Sequence, residues 1–208
     1  MAGSVIAVNV GRVAEVGWAG GRVRTAIDKR SHEGRLAVGP AGVAGDEHAD
    51  VTHGGVHQAV YAYAREDAEF WERELGREIP AGRFGENLTT VGIEVSSAVS
   101  GARWRVGTAL LEVTIPRMPC KTFAGFWDVP QLVKRFTAAG RPGAYLSVIE
   151  AGEIGAGDMI EVVDHPDHGV TVAQLMAARA GDRSRLEQIR SLALSPKWQA
   201  WLASVDPG

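Results

Sequence analysis

A mainly β fold with added helices, closed as a barrel or stacked as a sandwich and followed by a small helical unit, is what this sequence predicts. Three observations carry the prediction. Short runs rich in β-branched residues recur from the start of the chain to about Asp164. Glycine-rich turns separate them, and most of the 26 glycines lie in this part. After Asp164-His-Pro-Asp-His-Gly the pattern changes to short apolar runs with helix-capping residues in front of them. Short strands punctuated by turns suit a barrel or sandwich.

The elements follow in order. Val5 to Val10 reads as a strand ending at Gly11. Arg22–Ala26, Gly34–Val38, Arg103–Val106 and Ala109–Ile115 read as further strands, the last with the content of a buried one. Ala144–Ile149 and Met159–Val163 continue the series. Two helices interrupt it. One spans Arg65 to Arg77, with Phe70, Trp71 and Leu75 as its stripe and Gly76 near its end. The other spans Val129 to Ala139, with Leu132, Val133 and Phe136 on one face and Gly140 as its stop. In the tail, Thr171 caps a helix with Val172, Leu175 and Met176. Asp182 caps one with Leu186 and Ile189, and Ser195-Pro196 opens one with Trp198, Trp201 and Leu202. Helices this short are not stable alone and must dock on the barrel or on a partner. The predicted division is residues 1–165 for the β domain and 166–208 for the helical one.

Composition narrows the function. At 208 residues and 45% hydrophobic content the chain can bury a real core. A net charge of −3 with mixed signs argues against nucleic-acid binding. One cysteine, Cys120, excludes an intramolecular disulfide and a cysteine-only zinc cluster. No apolar run is long enough to span a bilayer, and the start, MAGSVIAVNVGRV, lacks a basic leader region, so a cytoplasmic protein is expected, with no membrane partner.

Three segments carry chemistry. Gly45-Asp46-Glu47-His48-Ala49-Asp50 leads into His53-Gly54-Gly55-Val56-His57. Its glycine pair lets backbone amides approach an anion, its histidines invite a zinc-hydrolase reading, and an ordinary polar turn explains it equally well. Gly85-Glu86-Asn87-Leu88 reads as a tight turn. Pro116-Arg117-Met118-Pro119-Cys120-Lys121 follows the most convincing strand. Its prolines stiffen the turn, and Arg117 and Lys121 favour the Cys120 thiolate, a ligand type suited to a redox metal or to sulfur transfer. A buried, inert cysteine is the competing explanation. No nucleophile elbow, P-loop or dinucleotide fingerprint is present.

In this order these segments resemble the MOSC family (molybdenum cofactor sulfurase C-terminal domain), in its YiiM-like branch. Ala59-Val60, Gly140-Arg141-x-Gly143-x-Tyr145 and Gly155-x-Gly157-Asp158 extend the resemblance, which covers nearly the whole chain. It implies a MOSC β-barrel with peripheral helices and a closing three-helix domain. It also implies a pterin-type molybdenum cofactor, with Cys120 as metal ligand and catalytic centre. His53 or Asp46 would supply protons. Arg117, Gly54 and Gly55 would meet the cofactor's phosphate, Lys121 would assist there, and Glu86 and Asn87 would line the pocket. The activity implied is reduction of N-hydroxylated compounds of the hydroxylaminopurine kind, with electrons from a separate reductase, in a homodimer. A persulfide-based sulfur carrier and a non-catalytic cofactor-binding module are the alternatives. The chain departs from the family at His48, where glutamine is common, at Val56-His57-Gln58, where Pro-Asp-Lys is common, and at Ile115, where glutamine is common. These departures bear on substrate and cofactor and leave the fold untouched.

Overall fold

The computed structural model describes residues 3–18, 21–49 and 54–205. Seven strands close a barrel: β1 (Gly3–Val10), β7 (Val60–Ala64), β8 (Leu88–Val91), β9 (Arg103–Val106), β10 (Ala109–Pro116), β11 (Ala144–Glu150) and β13 (Met159–Asp164). The ring runs β13-β9-β10-β11-β7-β8-β1 and returns to β13 through two pairs, Gly3 with Ile160 and Ser4 with Met159. Every neighbouring pair is antiparallel except β7–β8, which is parallel. A parallel pair needs a long crossover. Here α1 (Arg65–Leu75) and the loop after it supply it.

Outside the ring, β4 (Arg30–His32) extends β1. A hairpin of β2 (Ala14–Trp18) and β3 (Gly21–Thr25) stands beside the barrel mouth. The segments β5 (Arg35–Gly39), β6 (Gly42–Val43) and β12 (Gly152–Gly155) form a small separate sheet. The barrel interior is aliphatic, with Val8, Val60, Leu88, Val106, Leu111, Leu146 and Ile160 at its heart. Such inward-pointing side chains fill a small barrel rather than leave a channel.

A second, aromatic core sits under the mouth. Tyr63 stacks on Phe84 at 4.2 Å, and Phe84, Phe123, Trp127 and Phe136 pack edge and face around it. It joins α1 to α2 (Lys121–Trp127) and α3 (Leu132–Ala139).

The tail forms α4 (Val172–Arg179), α5 (Leu186–Arg190) and α6 (Pro196–Ala203). Their apolar faces share a third core with Ile115, Met118 and Tyr145 of the barrel end, so the helices dock where the barrel opens. Thr171 caps α4 as expected, in a full capping box with Gln174. Two caps differ from expectation. Asp182 caps a turn by accepting from the Ser184 N–H, and α5 begins later, after Arg185. Ser195 stands at the N-cap of α6 with Pro196 behind it, but its side chain makes no capping bond.

Candidate functional site

The site grows from the end of β10. Pro116 and Pro119 lack N–H groups, so the ladder stops and the chain leaves the sheet extended. Cys120 then has φ −121° and ψ 176° and serves as N-cap of α2, its Sγ accepting from the Phe123 N–H at 3.5 Å. The cysteine is half-buried. It lines two cavities. One, of about 230 Å³, lies toward the β2–β3 hairpin and is walled by Lys29, His48, Gly54, Asn87, Arg117 and Tyr145 among others. The other, of about 580 Å³, lies toward the tail helices. Gly54, Gln58 and Tyr145 line both with it, so the thiol stands at their junction.

Arg117 is buried, its guanidinium 4.2 Å from the Phe123 ring centroid and donating to the Phe84 carbonyl. Burial alone would lower its pKa. Its neighbours, the Cys120 sulfur and the hydrogen-bonding Tyr61 hydroxyl among them, turn the shift upward, and the group stays cationic beside the thiol. Burial raises the pKa of Tyr145 and takes that of Tyr61 far higher, so both phenols stay neutral.

The loop that Arg117 grips is held from inside by Glu86. Its carboxylate accepts from the N–H groups of Gly82 (2.6 Å) and Phe84 (2.9 Å) and from the Thr89 hydroxyl (2.8 Å). Glu86 is therefore a strut within the loop and is absent from the cavity wall. Its burial raises its pKa. Asn87 reaches further than a local turn. Its Oδ1 accepts from Tyr61 N–H at 3.1 Å, and its Nδ2 donates to the Asn9 carbonyl at 3.2 Å and to Asp46 at 2.9 Å.

Asp46 sits beneath the cavity, its side chain 1% exposed. It accepts from Gly11 N–H at 2.8 Å, from Asn87, and from the Lys29 ammonium through both oxygens. Burial pulls the Lys29 pKa below its ordinary 10.5, while Asp46 works against the shift. His48 Nε2 lies 3.9 Å from the same carboxylate. Gly54 has φ +119°, and a Cβ there would come within 3.3 Å of the His48 ring, so glycine is what lets the backbone cross over the imidazole.

The structure thus brings Cys120, Arg117, Gly54 and Asn87 to one hollow, with Asp46 under its floor, and puts Gly55 on the second cavity only. Lys121 is exposed and lines a different groove, with Trp18 and Val23. His53 and Asp50 lie outside the described residues. Among the described residues no three carboxylate, histidine or cysteine groups gather as a metal cluster. Reading the residues alone missed Lys29. In Ile27-Asp28-Lys29-Arg30 it looks like a solvated charge, yet in the fold it is buried against Asp46.

The MOSC domain model matches residues 49–161, just over half of the chain, from β7 into β13, which takes in every barrel strand but β1 and includes Cys120. The chain belongs to the MOSC domain family. Among relatives of this MOSC protein, YflK of Bacillus subtilis is 31% identical over 95% of this chain and 91% of its own. A protein named "Reductase" from Gibberella moniliformis is 34% identical over 79% of this chain, which spans only 30% of that longer protein. The crystal structure of YiiM from Geobacillus stearothermophilus superposes with a TM-score of 0.80 at 27% identity, over 97% of this chain and 98% of that one. The barrel expected from the sequence is the one observed. No described helix is long and apolar enough to cross a membrane.

Proposed function

We propose that this MOSC protein is a molybdenum-cofactor-dependent reductase of N-hydroxylated compounds of the hydroxylaminopurine kind. In this reading it works in the cytoplasm as a homodimer fed by a separate electron-donor reductase. The observation that carries the reading is the Cys120 thiol at the junction of two cavities with a buried cationic arginine beside it. The donor set fits the cofactor: a soft sulfur for the metal, and Arg117 with the Gly54-Gly55 backbone for its anionic part. A longer relative, of which this chain spans 30%, carries the name reductase, and redox chemistry here is in keeping with that.

When bound, the cofactor supplies the electrons at its metal. Reducing an N–OH group to N–H and water takes two electrons and two protons, and the protein must hold the protons. Arg117 favours the Cys120 thiolate as ligand. Lys29 and His48 are the cavity's proton carriers, and Asp46 fixes Lys29 in place. The β2–β3 hairpin shields one side of the hollow from bulk water, since Val23, Arg24 and Thr25 form part of its wall.

The test is elemental analysis of protein from a host that makes the cofactor, wild type beside Cys120→Ser, with hydroxylaminopurine reduction measured on the same samples. Roughly stoichiometric molybdenum and turnover in wild type, both lost in the variant, is the expected result. A serine variant reducing the substrate at the wild-type rate refutes the reading. A sulfur adduct on Cys120 by mass spectrometry, without molybdenum, moves the conclusion to a persulfide carrier. Bound cofactor with no turnover of any N-oxygenated substrate moves it to a non-catalytic module.

A further inference from the structure

The larger cavity beside Cys120 has a wall of its own kind. Its far side is built by the N-terminus of α6 and by Arg179 at the end of α4. Ser195, the N-cap residue, is 8% exposed and lines the cavity, and its hydroxyl has no partner among the described residues. In the first turn Pro196 has no N–H to give, and the N–H groups of Trp198 and Gln199 are spent on the Ser195 carbonyl. The Lys197 N–H is left over, and the Lys197 side chain also lines the cavity. Arg179 is held by stacking: its guanidinium carbon lies 4.7 Å from the Trp201 centroid and 5.7 Å from that of Trp198. Stacking occupies the faces of a guanidinium and leaves its N–H edges available, and no described carboxylate pairs with them. Among the described residues no aspartate or glutamate lines this cavity at all.

A hydroxyl that makes no capping bond on a largely buried serine, a helix N-terminus, two cations and no acid make a site for an oxyanion. At about 580 Å³ the cavity also has the volume of a small-molecule site. We infer that the tail helices supply an anion subsite that binds the phosphate-bearing end of the substrate while its N-hydroxyl end reaches Cys120. The substrate class is then N-hydroxylated nucleotides rather than free bases, and the helical tail is the element that sets that preference. The inference rests on the reductase reading for the chemistry, although the anion site itself does not. A phosphate on the cofactor has the same chemistry, and the experiment separates the two sources.

The first arm titrates the cofactor-free full chain with inorganic phosphate and follows tryptophan fluorescence, since Trp198 and Trp201 carry Arg179. Wild type should saturate, and Arg179→Gln and Lys197→Gln should each weaken the apparent affinity about tenfold. No saturable signal in wild type, or unchanged titrations in both variants, overturns the anion site. The second arm compares the loaded enzyme on hydroxylaminopurine and on its ribonucleoside 5′-monophosphate. The monophosphate-to-base ratio of kcat/KM should fall about tenfold in Arg179→Gln, with molybdenum content held. If molybdenum content falls instead, with the ratio unchanged, the site holds the cofactor and the substrate assignment is wrong. If wild type reduces neither compound yet binds phosphate through Arg179, the reductase reading fails and the anion site stands.

Discussion

Asp46→Ala tests whether the pair beneath the cavity organises it. The substitution leaves the Lys29 ammonium, with 8% of its side chain exposed, facing no carboxylate at hydrogen-bond distance. It also strips the Gly11 N–H and one Asn87 N–H of their acceptor. Breaking one half of a buried pair costs about 3–5 kcal/mol. For a chain of this size each kcal/mol lowers Tm by about 2–4 °C, so the drop should be roughly 6–20 °C. Differential scanning calorimetry on cofactor-free protein measures it. The double variant Lys29→Met with Asp46→Asn removes both charges and keeps an acceptor for Gly11. It should recover about half of the loss or more, because the stranded charge is gone. An Asp46→Ala midpoint within about 2 °C of wild type would refute the buried-pair argument.

Three further outcomes are expected. Thr171→Ala removes the capping box of α4 and should cost about 1 kcal/mol by urea denaturation, whereas Thr171→Ser should cost little. Gly143→Ala should cost about 2–5 kcal/mol in the same assay, since Gly143 has φ +64° and its new Cβ would lie 2.5 Å from the Ala62 carbonyl of β7. Asp158 governs part of the acid limb. Burial would raise its pKa, but the Arg35 fork and the Gly155 N–H hold it below the ordinary 3.8. Such a group stabilises the fold above pH 3.8 and loses that contribution as pH falls toward its lower folded value. Asp158→Asn should therefore flatten the loss of urea midpoint below pH 3.8, and an identical acid limb in both proteins would contradict this.

The strands that the sequence revealed are those with apolar β-forming residues between clear turns, such as Ala109–Pro116, with its Val, Thr and Ile, and Arg103–Val106, where Trp and Val alternate with arginine. Val60–Ala64 was illegible. Its Val-Tyr-Ala-Tyr-Ala run is buried on both faces and passes into α1 with no turn residue, so neither alternation nor punctuation marks it. Leu88–Val91 hid behind Gly85-Glu86-Asn87, which reads as a local turn but in the fold ties three strands together. The helix at Lys121–Trp127 contains Gly125 and aromatic residues, a poor helical signature, and it exists because those aromatics complete the lower core. The sequence singles out the cysteine loop by its prolines and neighbouring charges. It does not single out Lys29, Ser195 or Arg179, because which cavity they line depends on contacts that sequence distance conceals.

The seam between β1 and β13 has a consequence for synthesis. The barrel's first strand finds one of its two neighbours in the ring only when Met159 and Ile160 have left the ribosome. Until then the nascent chain carries a sheet with raw hydrogen-bonding edges, which is the state most exposed to pairing with other chains. Ring closure is thus a late event joining distant parts of the polypeptide, and slow translation before residue 159 should lengthen the interval in which chaperones are needed.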